Sequence, residues 1–237
     1  MRYSVVIFLL LFLLCGCSSS SVREQYSLKL KEFPIDCGSL IKSIEVDRLG
    51  DAEFSSEVMQ VDENMVKVNI RFDLKGDTVK QNDWQVRIKP AFKPAFNWAP
   101  HLTPTVNNII DQHVFRSPAL IATDQQRGIV IIPDLDILSK SGKNRWYMDM
   151  DAENNILSLG MSASKISDHV LYERQPGAVY EGGIVEYGFY IIKYSEKQEL
   201  ANPFRLPLQF MWNKWGHDRL VKLSSEDFEP YVKYTYN

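Results

Sequence analysis

Cysteine is scarce in this chain of 237 residues, and its three copies cannot build a disulfide framework: Cys15 and Cys17 sit near the N-terminus and Cys37 stands by itself. Histidine is thinly spread as well. His101, His113, His169 and His217 are far apart, with no H-E-x-x-H and no Cys/His cluster, so spacing gives no zinc site and no metal is expected. A basic surplus is missing: the formal charge is -3, and no cationic field exists to hold a phosphate backbone, which sets nucleic acid aside as a partner. No G-x-S-x-G elbow, G-x-x-x-x-G-K-[ST] loop or G-x-G-x-x-G turn is present, so the local signatures of serine hydrolases, P-loop enzymes and dinucleotide-binding folds are absent and no cofactor is expected. Beyond the N-terminus no apolar run approaches the ~20 residues of a transmembrane helix. Glycine and proline are few (12 and 11) and 45% of the residues are hydrophobic, which excludes fibrous and disordered mixtures and leaves a folded chain.

What is present begins with an address. Arg2 precedes an unbroken apolar stretch from Val5 to Leu14, which at 1.5 Å per residue covers only about half of a ~30 Å hydrocarbon core and reads as a signal h-region. The stretch ends in Leu14-Cys15-Gly16-Cys17-Ser18, which resembles the lipobox of bacterial lipoproteins, with Cys17 at the position that is acylated and becomes residue one. The resemblance implies a signal over residues 1–16, a tether over 17–24, and a protein anchored to a membrane through lipid rather than spanning it. Ser18 after the cysteine resembles the outer-membrane sorting pattern of Gram-negative cells, facing either the periplasm or the cell surface.

From about residue 25 apolar and polar residues alternate with the period of two that a half-buried strand demands. Tyr26, Leu28 and Leu30 alternate with lysines and serine. Val66, Val68, Ile70, Phe72 and Leu74 form a longer run, and Trp84, Val86 and Ile88 another. Ile129 to Ile132 is continuously apolar and stopped by Pro133, as in a central strand covered on both faces. Trp146 to Asp151 and Leu157 to Met161 flank Asn154-Asn155 and read as a hairpin; Val185 to Ile191 continues the pattern, and His169 to Arg174 reads as a further strand. Helix is confined to about Phe204 to Trp215, with Asn202-Pro203 at its start, Gly216 at its end and regular helix expected only after Pro207. Pro90 to Pro104 contains four prolines and reads as an ordered loop, not a strand or helix. The fold class is therefore all-β, an antiparallel β-sandwich of supersandwich type with one or two short helices, forming a single domain over residues 25–237.

Chemistry is harder to find. Asp134 with Asp136 and Asp149 with Asp151 are Asp-x-Asp pairs that strand geometry would place on one face, but neither has a third ligand at a defined spacing, and aspartate beside turns ordinarily solvates a loop. Cys37 reads as a small buried hydrophobe with no role. Among the five tryptophans, Trp84 and Trp146 lie on the apolar sides of strands and Trp212 and Trp215 on the apolar side of the helix, leaving Trp98, in the proline-rich loop, as the candidate to stack on a sugar ring.

The segment Ser117 to Asp136, with Arg145-Trp-Tyr-Met-Asp-Met-Asp and Phe210-Met-Trp-Asn-Lys-Trp-Gly, resembles the N-terminal β-sandwich of outer-membrane-associated proteins whose second part is a six-hairpin (α/α toroid) glycosidase-like domain. The resemblance covers roughly residues 100–237 and implies an accessory, non-catalytic domain of a carbohydrate-processing glycosidase. The acid and base would sit on a toroid beyond Asn237, so no catalytic residue is carried over. The alternative is a stand-alone envelope lipoprotein, either glycan-binding, with a polysaccharide or oligosaccharide partner, or structural.

Overall fold

In the computed structural model, which describes residues 24–75, 78–80, 83–100, 110–111, 118–140, 146–162, 179–181 and 183–216, the alternating segments form two six-stranded antiparallel sheets. The first half of the chain supplies β1 (Gln25–Ser27), β2 (Ile41–Asp47), β3 (Glu53–Asp62), β4 (Met65–Asp73), β5 (Thr78–Lys80), β6 (Asp83–Pro90) and β7 (Phe96–Trp98). The second half supplies β8 (Ile110–Asp111), β9 (Leu120–Thr123), β10 (Gly128–Pro133), β11 (Trp146–Asp151), β12 (Ile156–Ser162), β13 (Val179–Glu181) and β14 (Ile184–Lys193). One sheet has the order β1-β2-β6-β12-β11-β8, the other β3-β4-β14-β10-β9-β7, and β5 pairs with β13 as a separate ribbon. The all-β sandwich expected from the alternation is the observed fold.

The core lies where the inward faces meet. Val66, Val68, Ile70 and Phe72 of β4 oppose Ile44, Val46, Val86 and Ile88 across the sandwich core, all buried. Each such side chain removed from water contributes about 1.5–3 kcal/mol. A line of rings closes the open side: Tyr26 stacks on Phe54 at 4.1 Å, Phe54 meets Phe72 at 5.4 Å, and Phe72 meets Trp84 edge-on at 5.4 Å. Ile129 to Ile132 on β10 is buried on both faces between β9 and β14, as its unbroken apolar run requires. The hairpin of β11 and β12 turns at Asn154-Asn155, where Asn155 takes φ 55°, the left-handed region that asparagine tolerates.

A second apolar layer covers the outer face of the β9, β10 and β14 sheet. Helices α1 (Leu135–Leu138), α2 (Lys197–Ala201) and α3 (Arg205–Met211), followed by a π turn at Trp212–Gly216, bring Leu200, Phe204, Leu206, Phe210 and Trp215 onto Ile121, Val130, Ile132 and Ile192. Pro207 is the third residue of α3 and does not delay it, because the first N–H groups of a helix have no intrahelical acceptor to lose. Asn202 closes α2 and does not open α3. Trp212 is a second correction: it faces solvent, because the π turn spaces a face by five residues and seats Trp215 beside Phe210, ring centroids 5.6 Å apart.

Three further expectations change. The Tyr26 to Lys31 strand stops at Ser27, and a 3₁₀ turn at Leu30–Glu32 leads into Phe33 and Ile35, both buried. The proline-rich stretch does contain a strand, since Phe96–Trp98 fits between Pro94 and Pro100 and pairs at a sheet edge, where ladder hydrogen bonds are needed on one side only. Strand β3 breaks alternation because it is an edge strand with mostly exposed side chains. His169 to Arg174, Cys17 and all four histidines lie outside the described residues.

Candidate functional site

The aspartate pairs separate on folding. Strand β10 ends at Pro133, so Asp134 and Asp136 do not share a strand face. Asp134 instead caps α1, accepting from the Asp136 N–H at 3.0 Å, and is fully buried against Lys67, whose Nζ is 2.5 Å from Oδ2. Asp136 accepts from the Trp215 indole at 3.0 Å and lies 3.6 Å from Lys214. Burial works against the Lys67 charge, yet the Asp134 carboxylate outweighs it and holds the ammonium above the ordinary lysine range. Burial and the Asp134 charge likewise push the Tyr190 phenol up. This cluster therefore fastens α1 and the C-terminal helices to the sheet.

Asp149 and Asp151 do alternate along β11. Asp151 takes up turn duty: burial opposes its charge, but hydrogen bonds from the Asn154 amide and from the Asn154 and Glu153 N–H groups hold its carboxyl below the usual range. Cys37 is 1% exposed, and burial, then Asp36, pushes its thiol up to about 11, so the thiolate that nucleophilic chemistry needs is not formed near neutrality. Trp98 is half-buried at the end of β7, with Phe204 edge-on to its ring at 5.4 Å. Trp84 and Trp146 are in the core, as their strands implied.

Among the described residues, a groove of about 350 Å³ with a polar lining lies elsewhere, on the outer face of the second sheet. Register builds it. Ser55, Arg71 and Glu186 form one cross-strand row, and Glu57, Asn69 and Gly188 the next. Gly188 leaves the second row without a side chain at one end, and Ile137 of α1 fills that gap as an apolar wall; a Cβ on Gly188 would meet Ile137 Cδ1 at 2.7 Å. Arg71 and Glu186 lie 3.6 Å apart and are half-exposed, and the Asn69 Oδ1 is buried with no hydrogen-bond partner among the described residues. Rows of this kind space their groups by about 5 Å across strands and 7 Å along them. Hydroxyl, amide, carboxylate and guanidinium groups thus alternate over an area the size of a small cyclic polyol, with donors and acceptors interleaved.

No local motif announces this groove. Asn69 and Arg71 are legible as the polar side of a strand, but only pairing brings residues 55, 57, 137 and 186 beside them. Among the described residues no group of three His, Cys, Asp or Glu is placed to hold a metal, and no helix is long and apolar enough to cross a membrane. No family model matches the chain, and no characterised protein or solved structure matches it.

Proposed function

We propose that this protein is a lipid-anchored β-sandwich of the bacterial outer membrane that serves carbohydrate processing as a non-catalytic accessory module, holding a neutral glycan against its outer sheet. The observation that carries the reading is the groove formed by Ser55, Glu57, Asn69, Arg71 and Glu186, whose interleaved donors and acceptors suit vicinal hydroxyls better than any singly charged ligand. The lipobox at Cys17 supplies the anchor. The likeness of residues 100–237 to glycosidase-associated sandwiches supplies the substrate class, with catalysis assigned to a domain beyond Asn237.

Isothermal titration of the purified chain against neutral polysaccharides and oligosaccharides tests the reading. Binding is expected, and Arg71→Ala or Asn69→Ala should weaken it about tenfold, the loss of one hydrogen bond to a charged or buried partner. Trp98→Ala in the same assay separates the half-buried tryptophan from the groove as the contact. No binding to any glycan removes the carbohydrate reading, and turnover of glycosides by this chain removes the non-catalytic one.

A further inference from the structure

Helix α3 carries an apolar surface on its solvent side that neither the sandwich nor the groove uses. Leu208 and Trp212, one turn apart, are 51% and 49% exposed, while Leu206, Phe210 and Trp215 on the other side hold the helix to the sheet. Arg205 is exposed one turn before Leu208. From Arg205 to Gly216 the chain has two cations, Arg205 and Lys214, and no acid, in a protein of net charge -3. Lys214 is partly shared with Asp136 at 3.6 Å, and the nearest acid of α2, Glu199, is occupied by the N–H groups of Ser195 and Glu196. Beside the helix lies a shallow depression of about 350 Å³ floored by Met65, Ile192, Leu206 and Phe210.

We infer that α3 and the π turn after it form a second membrane contact, docking the face of Arg205, Leu208 and Trp212 onto the anionic lipid surface to which the chain is tethered. A tryptophan at the headgroup level keeps its ring in the apolar boundary and its N–H in water, and the exposed Arg205, with no acid between residues 205 and 216, complements anionic lipid, while Lys214 turns inward over the Tyr190 and Trp215 rings. The inference rests on the lipid-anchor reading. Six residues separate Cys17 from Glu24, a reach of roughly 20 Å at 3.3–3.6 Å per residue. A tether of that length keeps the folded body beside the bilayer, which raises the effective concentration of the lipid surface for any second contact.

The test uses the full protein purified from membranes and reconstituted into phosphatidylethanolamine/phosphatidylglycerol vesicles with brominated acyl chains, which quench tryptophan at short range. Trp212 is one of five tryptophans, so bromolipid should remove on the order of a fifth of the wild-type emission that Trp212→Phe does not lose. Equal quenching of wild type and Trp212→Phe overturns the contact. A Trp212→Phe change in solution mass, from dimer to monomer, also overturns it by giving the face to a second copy. Mass spectrometry of the N-terminal peptide reports acylation of Cys17 separately, so an unacylated protein that still shows the Trp212 difference sinks the anchor and keeps the contact.

Discussion

At the scale of single residues, Asp134 shows how a carboxylate that resembles half of a catalytic pair becomes a fastener. It is 0% exposed, caps α1, and neutralises Lys67, whose side chain is 22% exposed. Asp134→Ala removes a cap and leaves the part-buried Lys67 without its counter-charge, and should lower stability by about 3 kcal/mol. Urea unfolding would read this as a lower midpoint at an unchanged slope. Lys67→Met alone should also destabilise, because it strands the buried carboxylate. Gly160 sits under comparable constraint: a Cβ there would overlap the Trp84 carbonyl oxygen and meet the Tyr147 ring at 2.7 Å.

At the scale of elements, the C-terminal helices tell the two tryptophans apart. Trp215 is buried against Tyr190 and Phe210 and donates to Asp136, whereas Trp212 is half-exposed. Trp215→Ala should therefore cost about 3 kcal/mol, by cavity and lost hydrogen bond, and the half-exposed Trp212→Ala clearly less, about 1 kcal/mol. Thermal melts of the two variants check this; similar losses would contradict the placement of the π turn. Strand β3 illustrates another element-level device. It is a ten-residue edge strand, and Glu53, Glu57 and Asp62 along it, with an irregularity between Gln60 and Asp62, guard against pairing with other chains.

For the whole molecule, titrating groups set the pH window. Asp151 and Asp124 are both held below the ordinary aspartate value of 3.8. For Asp124, burial opposes the shift and is overcome by N–H groups of Gln126 and Arg127 and by the Arg127 guanidinium. Groups with lowered values contribute stability above their unfolded value, and lose it as pH falls through the folded one, so the acid limb lies below about 3.8. Cys37 acts in the opposite sense. Its thiol is raised from 9.0 to about 11, so its contribution is complete below pH 9 and is lost as pH rises toward 11. Lys67, raised above 10.5, adds to the loss at still higher pH. Cys37→Ala should move the start of the alkaline limb upward in stability measured across pH; an unchanged limb would show that the thiol is not shielded.

Much of the sandwich was legible because alternation is a local property: β4, β6, β10, β11, β12 and β14 each announce a buried face within a few residues. Strand β3 was not, because an edge strand is paid too little burial to keep a clean pattern. The groove was not, because a polar strand face looks the same in sequence whether it meets water or a ligand.

By itself, then, the sequence determined the all-β class and the buried faces, since period and composition act over short range. Tertiary structure alone decided which polar rows stand side by side, that Asp134 pairs with Lys67 rather than with Asp136, and that Trp215 turns inward while Trp212 turns out. Those outcomes depend on strand register and on one π turn, which join residues far apart in the chain and leave no local trace.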